Sequence, residues 1–367
     1  MRNCRAIILM GACLGFISAP CARGQDFEAS PDQATVTGRG SGGTANRMVE
    51  MSNRRLQMRQ MLEQRARAMN TNSIGIGSSA RDVGTLKFAE GDGPKARAAA
   101  AAIDKTKVTV RSHVPYGKEF RQDLDVYSPA HPPAGGAPAI IFLHGGGWRI
   151  GNKSMHIDKG SKYAENGVVF VSINYRLAPE TMHPKQVEDA AAAFAWVHAH
   201  ATEIGADPNR IFIMGHSAGA HLVDLLGTND RFLRAQKLTL KDVKGVISLD
   251  TASLNLIDRM AEKSQEGQMM SGMIKGAFGT DEKVLTDASP LAAIKPGKYF
   301  PPFLMFCSNR RMTCMAQHKV FAEALTAVGG KVSVKPVPLS HAQINQQAGQ
   351  PGSDIWQHVM TFVGTVK

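Results

Sequence analysis

From about residue 107 to the end, short runs of apolar, β-branched residues recur, separated by longer stretches with helical periodicity. Val108–Val114 and Leu124–Tyr127 read as early strands. Ala139–Leu143, Val168–Ile173, Ile211–Met214, Val246–Leu249, Phe303–Phe306 and Val332–Val337 follow. Between them, Val187–Ile204, Ala218–Leu226, Gln317–Val328 and Ile355–Val363 space their apolar residues as helices do. Strands that are apolar throughout and alternate with helices must be covered on both faces. The pattern therefore predicts an α/β domain built on a mostly parallel central sheet.

Upstream the texture changes. Residues 1–24 join a positive start (Arg2, Arg5) to an apolar stretch, Ala6–Ser18, and a small-x-small site at Ala22-Arg23-Gly24, the pattern of a secretory signal peptide. As a helix that stretch spans about 20 Å, short of the roughly 30 Å of a bilayer's hydrocarbon core, which argues against an anchor. Pro20 before Cys21 argues against a lipoprotein. The expectation is a secreted or periplasmic protein. Residues 25–106 read as a disordered or helical extension. Its first part is Gly/Ser/Thr-rich, 47–69 is loosely amphipathic with several Met, and 70–105 looks like linker ending in an Ala-rich tract. The catalytic domain is expected over 107–367.

Composition adds limits. A 367-residue chain with 43% apolar residues can bury a sizeable core and is neither disordered throughout nor polytopic. The net charge of +12 is diffuse; its densest stretch, 47–67, sets six Arg against two Glu. With no interleaved aromatics and no recognised module, nucleic acid is not an expected partner. No later apolar run is long enough to cross a bilayer, and oligomeric state is not legible.

The chemistry concentrates in three places. Gly215-His216-Ser217-Ala218-Gly219 follows the strand Ile211–Met214 and opens the helix Ala218–Leu226. Between a strand and a helix, G-x-S-x-G makes a nucleophile elbow: the glycines permit a sharp turn that holds the Ser217 hydroxyl clear of the backbone. His144-Gly145-Gly146-Gly147-Trp148 ends the strand Ala139–Leu143. Its glycines let backbone N–H groups approach a substrate oxygen, so Gly146, Gly147 and the N–H of Ala218 are the expected oxyanion hole. His341, after the last strand and before the terminal helix, is the expected base. His216 and His221 flank the nucleophile as packing or hydrogen-bonding residues.

These residues together resemble the α/β-hydrolase fold, and within it carboxylesterases of the hormone-sensitive-lipase and bacterial feruloyl-esterase-like group. The resemblance covers about 107–367. It rests on His144–Trp148, Asn174-Tyr-Arg-Leu-Ala-Pro179, Gly215–Gly219 and His341. It implies a Ser–His–acid triad, a covalent acyl-enzyme on a small-molecule ester, no metal and no organic cofactor. It also implies a small cap, for which the Met-rich 254–280 segment is the natural place. Trp148, Met269, Met270 and Met273 are candidates to line the substrate pocket, and Met at such spacing also suits plain core packing.

One position departs from the pattern. Relatives carry the acid a few residues after the seventh strand, where this chain has Cys307-Ser-Asn-Arg-Arg311, with Arg311 in the aspartate's place. Asp250 closes the sixth strand and is the expected substitute, orienting His341 and stabilising its imidazolium. A helix-capping or loop-bracing role for Asp250, a weaker candidate in Asp287, and orientation by Asn309 stand beside it. Cys307 and Cys314 are the cysteines left once residues 1–24 are gone, and in an oxidising compartment they are expected to form a short-loop disulfide, the alternative being two free thiols. No cysteine or histidine spacing suits zinc. Besides an esterase of small or aryl acyl esters, a serine peptidase or amidase and a non-catalytic binding protein of the same fold fit these motifs.

Overall fold

The computed structural model describes residues 93–366. The expected signal peptide, and the extension up to residue 92, lie outside the described residues. Eight strands form one sheet: β1 (Val108–Pro115), β2 (Asp123–Pro129), β3 (Ala137–Leu143), β4 (Val169–Ile173), β5 (Ala206–His216), β6 (Gly245–Leu249), β7 (Phe303–Ser308) and β8 (Val332–Val337), in the order β1-β2-β4-β3-β5-β6-β7-β8. The first two strands join antiparallel, and β4, β3, β5, β6, β7 and β8 run parallel. The expected sheet is present.

The helices, in chain order, are α1 (Pro94–Ala101), α2 (Ile157–Glu165), α3 (Lys185–Ala199), α4 (Ala218–Thr228), α5 (Arg231–Ala235), α6 (Leu256–Ala261), α7 (Gln265–Phe278), α8 (Glu282–Asp287), α9 (Met312–Ala327), α10 (His341–Gln347) and α11 (Asp354–Thr365). Alternation along the strands sorts the core into two layers. Ile141, Leu143, Ile211 and Ile213 pack with α3, α4 and α9, while Ile140, Phe142, Phe212 and Met214 pack with α2, α10 and α11 on the other face. Both layers are fully buried, which is why these strands carry no polar alternation. The Ala-rich end of the expected linker is not linker: it forms α1, whose Ala100, with Ile103 beyond it, joins the second layer.

Between β6 and β7 the chain makes α6, α7 and α8, the expected cap, with Ile274 and Ala277 of α7 buried in the first layer. No helix among the described residues is long and apolar enough to cross a membrane.

Register decides where the chemistry can meet. Leu143 pairs with Gly215, His216 with Leu249, and Leu249 with Phe306, so the carboxyl ends of β3, β5, β6 and β7 lie side by side. In an open α/β sheet that edge is where ligands bind.

Candidate active site

Ser217 stands between β5 and α4 at φ +56°, ψ −116°, a left-handed conformation for a residue with a Cβ. The elbow is held from below: the Ser217 N–H donates to the Leu249 carbonyl (3.0 Å), and its carbonyl accepts from His221 N–H (3.0 Å) and Ala252 N–H (3.1 Å). Both flanking glycines are required by close approach. A Cβ on Gly215 would sit 2.2 Å from the Gly219 carbonyl oxygen, and one on Gly219 would sit 2.2 Å from that of Leu143. The second contact presses the elbow against the His144–Trp148 loop.

That loop is tied at both ends. The His144 carbonyl accepts from the Tyr175 hydroxyl (2.8 Å), and the two rings stack at 4.4 Å. Arg121 donates to the carbonyls of Gly151 (2.8 Å) and Tyr175 (2.8 Å), and the Asn174 side chain accepts from Lys153 N–H (2.9 Å). The Asn174-Tyr175 motif thus acts as a clamp on the loop. Burial pushes the His144 imidazole down to about 3, so it stays neutral and packs.

Trp148 closes the far end. Its indole N–H donates to His221 Nδ1 (3.2 Å), and its ring meets those of His221 and Phe278 edge-on at 5.2 and 5.0 Å. With 0% of its surface exposed, Trp148 cannot line a substrate pocket, which corrects that expectation. Its indole needed a buried acceptor, and His221, whose Nε2 donates to the Ala288 carbonyl (2.8 Å), supplies one.

Between these anchors the backbone N–H groups of Gly146, Gly147 and Ala218 have no hydrogen-bond partner among the described residues. Gly146 and Gly147 have φ of +124° and +58°. Met273 of α7 hangs over the loop: a Cβ on Gly147 would lie 2.9 Å from its sulfur. Met269 is 60% exposed and Met270 is core, so of the three methionines Met273 is the one beside the glycines.

His341 is the first residue of α10, fixed by the Ser340–Gln343 capping box. Its Nδ1 donates to Asp250 Oδ2 at 2.5 Å, and its carbonyl accepts from His216 Nε2 at 3.0 Å, the two rings lying 4.4 Å apart. Its Nε2 and the Ser217 hydroxyl make no hydrogen bond among the described residues, so both remain open to a reacting group.

Asp250 is completely buried and takes four donors: Ser308 N–H (2.9 Å) and the Cys314 thiol (3.1 Å) on Oδ1, His341 and Arg311 Nη1 (2.7 Å) on Oδ2. Burial alone would push the carboxyl up. The His341 hydrogen bond, the Arg311 charge and the Ser308 amide outweigh it and hold Asp250 well below the usual carboxylate range. Asp287 is engaged elsewhere, by His183 (2.8 Å) and Arg231, and Asn309 is exposed at the end of β7.

The expected disulfide is absent. Cys307 and Cys314 are both free and buried. The reason is local: the Cys314 thiol serves as a donor to a buried carboxylate. Burial, reinforced by the Asp250 charge, pushes both thiols up, Cys307 to about 11, which suppresses the thiolate that oxidation needs. Glu266 of α7, which meets Arg311, is the residue of this site that sequence reasoning missed, and an arginine standing where an acid is expected was the available sign of it.

Comparison with known proteins agrees with this architecture. The BD-FAE family model matches residues 124–325. Isoprenylcysteine alpha-carbonyl methylesterase of Arabidopsis thaliana is 29% identical over 61% of this chain and 54% of its own, so the chain spans about half the length of that plant relative. Esterase LipQ of Mycobacterium tuberculosis is 28% identical over 78% of this chain and 68% of its own. Among solved structures, esterase B from Lactobacillus rhamnosis superposes with a TM-score of 0.60 at 19% identity, covering 74% of this chain and 91% of that one. A thermostable carboxylesterase cloned from a metagenomic library gives 0.58 at 24%, covering 74% and 94%. The matched segment runs from β2 to α9 and takes in the glycine loop, the elbow and Asp250, and on that footing the chain belongs to the BD-FAE family, with the α/β-hydrolase fold.

Proposed function

We propose that the protein is a serine carboxylesterase that hydrolyses small or aryl acyl esters through an acyl-enzyme. One observation carries the reading: three unpartnered backbone amides, those of Gly146, Gly147 and Ala218, belong to the two loops packed around a serine held at a strained elbow. Ala218 is buried, while Gly146 and Gly147 are half-buried and open to an incoming group, so three N–H donors without a protein acceptor stand ready for an oxygen that arrives with the substrate. The esterase names of the relatives support the same choice.

In this mechanism Ser217 Oγ attacks the ester carbonyl while His341 Nε2 takes its proton, and Asp250 holds Nδ1 protonated and stabilises the imidazolium. The three amides receive the oxyanion, at about 3 kcal/mol per donor. His341 then protonates the departing alcohol, and water reverses the sequence to free the acid. Met273 over Gly147, and Ile150, 70% exposed beside Gly146, offer the carbonyl's substituents an apolar wall.

A fluorophosphonate probe should label Ser217 in the wild-type protein, and Ser217→Ala should abolish both labelling and p-nitrophenyl ester turnover without loss of fold. Turnover surviving in Ser217→Ala would refute the assignment. Parallel assays on aminoacyl anilides test the peptidase reading. We also place the protein outside the cytoplasm, on residues 1–24 alone; an exported chain whose sequenced N-terminus lies near Gln25 is the expected result.

A further inference from the structure

Arg311 occupies the strand-end position where an acid was expected, and its contacts give it work. Its Nη1 meets Asp250 Oδ2 at 2.7 Å, the same oxygen that accepts from His341 Nδ1, and lies 3.3 Å from Nδ1 itself. Both donors aim at the shared oxygen, not at each other. The other edge of the guanidinium forks onto Glu266 Oε1, with Nε at 3.0 Å and Nη2 beside it. Glu266 also takes Arg259 Nη2 at 2.5 Å, and Arg259 pairs with Glu262.

Charges therefore alternate outward from the imidazole: Asp250, Arg311, Glu266, Arg259, Glu262. The inner members are shielded from water, with side-chain exposures of 0% for Asp250 and 17% for Arg311, and the ladder reaches solvent at Glu266, 37% exposed. Shielding keeps such interactions from being screened. A lone buried aspartate would favour the imidazolium strongly; a guanidinium on the same oxygen offsets that attraction, and Glu266 tempers the offset. His216, on the ring's other face, is kept neutral by burial, its imidazole pushed down to about 3. Lys159 reaches α10 at Asn345 (2.6 Å), not at the ring.

We propose that Arg311 is a positioning residue that fixes the Asp250 carboxylate toward His341 and balances its charge, with Glu266 of the cap setting how much of that balance the imidazole feels. The catalytic meaning rests on the hydrolase reading, but the charge ladder can be tested without turnover. The experiment is an NMR titration of the His341 ring in full-length Ser217→Ala protein, assigned by His341→Gln, alone and combined with Arg311→Met, Arg311→Lys or Glu266→Gln.

Arg311→Met should raise the His341 protonation midpoint by about one pH unit, tenfold in proton affinity, because a cation within hydrogen-bonding range is lost. Glu266→Gln should move it the opposite way by a smaller step, and Arg311→Lys should stay near the parent. In active protein the acid limb of kcat/KM should follow the same directions. A purely structural role would lower kcat in all variants without moving the limb.

An unmoved midpoint in Arg311→Met, or shifts of the same sign in Arg311→Met and Glu266→Gln, overturns the proposal. Should Arg311→Met not fold, Glu266→Gln decides alone, since the absence of a downward shift there also overturns it. A wild-type protein with no ester turnover would sink the hydrolase reading, and the titration would still decide the ladder.

Discussion

The two glycines proposed for the oxyanion hole are not equivalent, and a pair of alanine substitutions should separate them. At Gly146 (φ +124°) an added methyl would lie 2.0 Å from the Ile150 carbonyl oxygen and 2.7 Å from its carbon, both backbone. The Gly146 carbonyl accepts from the N–H groups of Arg149 and Ile150, both at 3.1 Å, so the methyl cannot be accommodated without opening that turn. At Gly147 (φ +58°) an alanine costs about 1–2 kcal/mol for the left-handed backbone, and its methyl meets the sulfur of Met273 at 2.9 Å, the movable end of a flexible side chain. Losing one well-aimed donor costs about 100-fold or more in kcat. Gly146→Ala should therefore reduce kcat on a p-nitrophenyl ester by about 100-fold, with KM little changed. Gly147→Ala should stay within about tenfold, and adding Met273→Ala should recover part of its stability in urea unfolding. Equal losses in the two variants, or a larger loss at Gly147, would refute the assignment of these amides and of the turn that aims them.

Asp250→Asn should lower kcat/KM by about 10³–10⁴, whereas Asp287→Asn, paired with His183 and Arg231, should stay within a few-fold; the reverse order removes Asp250 from the triad. Cys307 and Cys314 should react slowly with maleimide in the native protein and fully once unfolded; a disulfide between their peptides in exported protein would contradict the thiol's bond to Asp250. Asp224, buried on α4 and hydrogen-bonded by Ser248 (2.9 Å), has its carboxyl pushed up to about 7 by burial. Between about pH 4 and 7 the unfolded chain has released a proton that the folded one keeps, so stability falls as pH rises through that window, by up to about 4 kcal/mol. Asp224→Asn should remove that decline, gaining on the wild type at pH 8 relative to pH 4 in urea unfolding, and an equal difference at both pH values would refute it.

Much of this was legible in the sequence because the strands are short, apolar on both faces and β-branched, a texture that little else produces. The elbow and glycine loop were legible for a related reason: close backbone approach admits glycine alone, so Gly215, Gly219 and Gly146 are written into the chain. Asp250 was legible as one candidate among several, from its place at the carboxyl edge of the sixth strand and the absence of an acid after the seventh. What stayed hidden depends on rotamers and on distance in space. Trp148 beside the oxyanion loop suggested a pocket wall, yet it turns inward to His221. The cysteines suggested a bridge from compartment and spacing, neither of which reveals that Cys314 faces a carboxylate. Helices α6 and α8, six residues each, are too short to show periodicity.

The strand ends also explain how an acid can change places. Neighbouring strands stand about 4.8 Å apart, a distance a side chain can bridge, and Asp250 N–H bonds the Phe306 carbonyl while Ser308 N–H returns to Asp250 Oδ1. An aspartate at the end of β6 thus reaches His341 as one at the end of β7 would, provided its carboxylate is turned and held. The turn comes from the backbone: Asp250 has φ +50°, and Trp148 and Ser217 of the same site are also among the five non-glycine residues with positive φ in the described chain. Each such residue costs of order 1 kcal/mol and persists where its surroundings over-determine it. The hold comes from Ser308, Cys314 and Arg311. Without that basic partner Asp250 would be a bare carboxylate under the imidazole, so Arg311 and Asp250 form one unit at the ends of neighbouring strands, both engaged on the oxygen that faces His341.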